Sequence, residues 1–91
     1  MDELRTFLIY DIVDDKLRAK IADACLDFGL VRVQYSAFAG MLNRNKREEL
    51  FLRLQTILGD DLGKILLQPV CEKDVSQMLL HENERPPQED L

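Results

Sequence analysis

Carboxylate, guanidinium and hydroxyl groups are the reactive side chains this chain offers. It has no Gly-rich phosphate loop, no Ser-His-Asp set and no HExxH pair, and its one histidine, His81, stands beside a run of acids without an orienting partner. Asp11 is the carboxylate that asks for an explanation. It sits near the end of an apolar run over residues 4 to 12, where a charge is costly unless it is solvated, hydrogen-bonded or bound to a cation. Two roles fit it: a turn former, or a ligand for Mg2+ or Mn2+, hard cations that take oxygen and commonly use one or two carboxylates beside water and phosphate. One carboxylate per chain is few, and a twofold axis near Asp11 would supply the second. Asp14 and Asp15 read as helix-capping acids instead.

The basic residues fall into two groups, Lys16, Arg18, Lys20 and Arg32, then Arg44, Lys46 and Arg47. Arg18 and Arg32 carry forks that match phosphate, salt bridging being their ordinary alternative; Arg32 leans to the first, because it shares a strand face with Gln34 and Ser36. Tyr10 and Phe38 are the aromatic residues near them, suited to core packing or to stacking on a base.

These residues need elements to position them. Residues 4 to 12 are rich in β-branched and aromatic types and apolar on both faces, as a central strand is. Leu17, Ile21, Ala24, Cys25 and Phe28 recur at helical spacing over 15 to 28, with Gly29 at the end. Residues 30 to 38 alternate strictly and predict a strand, with a turn at Gly40 and a short returning strand at Met41-Leu42. A second helix follows Asn43 or Asn45, with Leu50, Phe51, Leu54, Ile57 and Leu58 as its apolar stripe up to Gly59. Lys64 to Val70 is a further strand, placed at an end or an edge by Pro69. The β-α-β-β-α-β order predicts an α+β, ferredoxin-like fold: an antiparallel sheet with two helices on one face. Its other face needs cover, and in so short a chain a second copy is the economical one, so a homodimer through the sheet faces is expected. The expected organisation is one domain over residues 1–80, with its core in 4–70, and an acidic, disordered tail over 81–91.

At 91 residues the chain is near the lower limit for a self-sufficient core. The net charge of −5 argues against nucleic acid at first sight. Glu72, Asp74, Glu82, Glu84, Glu89 and Asp90 against Lys73 and Arg85 place −4 of it beyond Cys71, however, and leave the rest nearly neutral. Cys25 and Cys71 are too far apart for a CxxC site and read as buried, reduced thiols. No stretch is long and apolar enough to cross a membrane, and acids occupy the start where a secretory signal has bases, so no membrane partner and a cytoplasmic location are expected.

Two separated motifs, Tyr10-Asp11-Ile12-Val13-Asp14-Asp15 with Leu17-Arg18 and Lys20, and Gly29 through Phe38 with Gly40, resemble the signature of the CRISPR-associated Cas-two family. The resemblance covers about residues 4 to 70. It implies a homodimer that holds short DNA for the Cas-one integrase during spacer acquisition. It also implies metal-dependent endonuclease activity on single-stranded RNA or double-stranded DNA, with Asp11 and its twofold mate binding the metal. Two such carboxylates repel each other without metal, so metal affinity is expected to fall as pH is lowered. Arg18, Arg32 and Phe38 match positions linked to that activity, and Lys20 stands where some members have Arg, keeping the charge but losing the fork. The segment after the last strand, within residues 71–80, is implied to cross to the partner's sheet. A toxin-like ribonuclease or a small-molecule regulatory domain on the same scaffold is the alternative.

Overall fold

The computed structural model describes residues 3–83. A nine-residue strand, β1 (Leu4–Ile12), leads into helix α1 (Asp15–Asp27), then strands β2 (Val31–Gln34) and β3 (Ala37–Leu42), helix α2 (Arg44–Leu58), strand β4 (Gly63–Val70) and a one-turn helix α3 (Glu72–Val75). All pairings are antiparallel and the sheet order is β2-β3-β1-β4, which puts β1 between β3 and β4, as its two apolar faces predict.

The alternation along β1 sorts the molecule into two sides. Thr6, Leu8, Tyr10 and Ile12 are buried, whereas Arg5, Ile9 and Asp11 are exposed. Leu8, Tyr10 and Ile12 of that set pack with Phe38 and Leu42 of β3 against Ile21, Ala24 and Cys25 of α1 and Leu50 and Leu54 of α2, so both helices lie on one face. The predicted stripe of α2 behaves as read: Leu50 and Leu54 are buried, and Ile57 and Leu58 pack on the core from its margin.

Helix ends follow their caps. The Asp14 side chain accepts the Leu17 N–H at 3.0 Å, and Asn43 accepts that of Lys46 at 2.8 Å, each satisfying a donor of the first turn. Gly29, at φ +87°, closes α1 with the Leu30 N–H donating to the Cys25 carbonyl, a geometry that disfavours any side chain at that position.

Two expectations are corrected. Residues 30 to 38 are not one strand: the chain turns at Tyr35-Ser36, and Phe38 belongs to the strand that returns to pair with β1. Gly40 lies inside β3 rather than in a turn. A Cβ there would come within 2.6 Å of Leu30 Cδ2 and 3.1 Å of Leu30 Cα, so this glycine permits a close approach of backbone. The second correction concerns Cys71, which is exposed at the start of α3, while Cys25 is buried as expected. Pro69 lies on the edge strand β4, as read. Of the expected tail, residues 84–91 fall outside the described residues; in the segment 71–80, α3 is the regular element.

Candidate functional site

Tyr10 and Asp11, adjacent in sequence, leave β1 on opposite faces. Tyr10 enters the core beside Phe38, the rings 6.3 Å apart and nearly parallel. Phe38 is 0% exposed, so packing and not base stacking is what this protomer gives it, and the same holds for Tyr10 at 4%. Burial raises the Tyr10 phenol above its usual value, with the Arg32 guanidinium pulling the other way.

Asp11 points to the open side. Lys64 is its direct partner on β4 and Leu66 faces Ile9 one step along. Ile9, Met41, Val31, Val33 and Leu66 are all exposed apolar residues. The β1 registers put Ile9, Met41 and Leu66 on Asp11's face, and Val31 joins them through its pairing with Ala39. Among the described residues no three His, Cys, Asp or Glu side chains gather as a metal site. Asp11 of one copy offers a hard cation a single carboxylate, so a site built on it needs further oxygen donors.

Arg18 and Arg32 stand on the helix side, around a recess lined also by Tyr10, Asp15, Ala19 and Tyr35. Both are tied to backbone. Arg18 donates to the carbonyls of Ile12 at 2.8 Å and Val13 at 3.1 Å and pairs with Asp15, which clamps the turn after Asp11. Arg32 donates to the Tyr35 carbonyl across the hairpin, and its guanidinium lies 4.9 Å from the centre of the Phe38 ring. Ser36 contributes its carbonyl, which accepts the Tyr10 N–H. Lys20 is exposed on α1.

The second basic group is at the other end of the sheet. β3 runs from Ala37 beside Ile9 to Leu42 beside Leu4, so the start of α2 stands about 23 Å from Asp11, seven strand residues at ~3.3 Å each. There Arg44 pairs with Glu48 at 3.3 Å, Lys46 with Glu49 at 3.5 Å, and Arg47 donates to the Leu42 carbonyl at 2.8 Å. The two basic groups read from the sequence thus stand at opposite ends of the sheet. Sequence reasoning missed Tyr35, whose place at the hairpin tip is hidden when residues 30 to 38 are read as one strand.

The family model described as CRISPR associated protein Cas2 matches residues 4–78. The chain belongs to the Cas2 family. The CRISPR-associated endoribonuclease Cas2 of Desulforudis audaxviator is 53% identical over 72 residues, covering 79% of this chain and 68% of that protein. Among solved structures, a hypothetical protein from Thermus thermophilus superposes with a TM-score of 0.71 at 30% identity, over 77% of this chain and 84% of that one. A crystal structure of cas2 does so with a TM-score of 0.67 over 96% and 93%, where 24% identity makes the likeness one of fold. No described helix is long and apolar enough to cross a membrane.

Proposed function

We propose that this Cas2-family chain works as a homodimer that holds short DNA for the Cas-one integrase in spacer acquisition. The observation that supports it best is the uncovered sheet face: Ile9, Met41, Val31 and Leu66 form an apolar patch that water contacts in the isolated protomer. A second copy on that face buries the patch, and the β2-β3-β1-β4 order, read as ferredoxin-like, leaves both helices and both basic groups outside the interface. The dimer then offers four patches of guanidinium and ammonium to a duplex. Light scattering on Ile9→Glu tests the interface: the wild type is expected at dimer mass and the variant at monomer mass, and a dimeric Ile9→Glu protein overturns it. For the DNA surface, reversing Arg44 and Lys46 to Glu should weaken duplex binding and flatten its salt dependence. Unchanged affinity and slope would exclude that end of the sheet.

Asp11 supports a second reading, metal-dependent endonuclease action; the Desulforudis relative is named an endoribonuclease. Asp11 is exposed, lies at the end of β1, and has no ion pair among the described residues. Two Asp11 carboxylates across the dimer axis would hold Mg2+ or Mn2+, which when bound supplies charge neutralisation and an activated water at the phosphate. Asp11→Asn is expected to abolish metal-dependent cleavage of RNA or DNA while keeping the dimer and duplex binding. Cleavage at the wild-type rate in that variant removes Asp11 from the reaction.

A further inference from the structure

We infer that the recess between α1 and the β2–β3 hairpin receives one unpaired nucleotide of a nucleic-acid strand, its base on Tyr35 and its phosphate on Arg32. This rests on the nucleic-acid reading above and adds a site on the helix side of the sheet, on the face opposite Asp11.

Tyr35 is the first observation. It stands at the tip of a two-residue turn with 75% of its surface exposed, while the chain's other tyrosine is buried. Neither turn geometry nor core packing requires an aromatic ring there, and a rigid exposed ring beside cations is a sequence-tolerant platform for a base.

Arg32 is the second. Its NH1 is committed to the Tyr35 carbonyl and its plane is held over Phe38, so the guanidinium is already oriented before any ligand arrives. Among the described residues its Nε and NH2 have no hydrogen-bond partner, which leaves one edge of the fork for phosphate oxygens. Arg18, across the recess, is spent on the Ile12 and Val13 carbonyls and on Asp15; it keeps the wall cationic without competing for the same phosphate.

Size is the third. The recess measures about 470 Å3, inside the ~300–1,000 Å3 range of small-ligand sites and fit for a single nucleotide rather than a duplex. A base stacked within a duplex has both faces covered and cannot offer one to Tyr35, so the site selects unstacked, unpaired positions, such as a frayed or overhanging end.

The test uses the full chain and fluorescence anisotropy with a labelled single-stranded 12-mer and a labelled 12-base-pair duplex at one salt concentration. Tyr35→Ala should weaken single-strand binding roughly 5- to 150-fold, the range for loss of one stacked base, and leave duplex binding unchanged. Tyr35→Phe should restore it, and Arg32→Ala should weaken the single strand more than the duplex. Because the chain has no tryptophan, the strand should also quench Tyr35 emission in the wild type. Equal single-strand affinity in Tyr35→Ala overturns the site, as does an equal loss for strand and duplex. AMP titrated alone separates the sources: AMP binding as tight as the 12-mer would overturn the strand and point to a free nucleotide. A wild type that binds neither strand nor duplex would instead sink the nucleic-acid reading itself.

Discussion

At the scale of single residues, the two cysteines make a clean contrast. Cys25 is fully buried between α1 and the sheet, and burial pushes its thiol from the usual 9.0 up to about 12, the Arg32 charge opposing this weakly. A folded value above the unfolded one means that the native state holds this proton more tightly. That contribution to stability is complete below about pH 9 and is lost as pH rises towards 12. Urea unfolding between pH 7 and pH 10.5 should therefore show falling stability, with a shallower fall in Cys25→Ala. At neutral pH iodoacetamide should label Cys71, which is exposed, and spare Cys25 until urea is added. Modification of both thiols in the native protein would contradict the burial. Residue types alone marked Asp11 as the carboxylate to explain but left it between a turn former and a metal ligand; it stands inside β1, exposed and opposite Lys64. Residue types could not show that Arg18 and Arg32 each hold a backbone carbonyl, since a carbonyl on a neighbouring turn leaves no mark in the sequence.

At the scale of elements, the caps and apolar periods were readable because each depends on neighbours within about four residues. Asp14, Gly29, Asn43 and Gly59 bound the two long helices much as their types indicate. The β2–β3 hairpin was not readable for the opposite reason. Strict alternation runs through Tyr35-Ser36, and what breaks it is pairing of Ala37–Leu42 with a strand about thirty residues earlier, helped by a register shift between Arg32 and Gln34. Gly40 carries the proof of that arrangement. Gly40→Ala would press a methyl group against the Leu30 backbone as well as its side chain, and should destabilise the protein by ~1–3 kcal/mol in denaturant unfolding. A glycine in a solvent-exposed turn would lose far less, so a neutral effect would refute its place within β3.

At the scale of the whole molecule, a chain of this size buries its core on one side of the sheet only, and the apolar patch on the other side is the reserve a partner would use. If the dimer forms there, folding and association are one equilibrium, and the thermal midpoint should rise with protein concentration in the wild type but not in Ile9→Glu. A midpoint independent of concentration in both would mean that the protomer is stable alone. The sheet order also has a consequence for how the protein comes into being. β1 leaves the ribosome before its partners, yet it needs β3 on one edge and β4 on the other, and the β4 partner of Ile12 is Gly63, about fifty residues later. Until then β1 is an apolar strand with an unpaired edge, the kind of segment that joins other chains. Closing so long a loop makes that last pairing slow. A nascent chain stalled before Gly63 is thus the form of this protein most prone to aggregate.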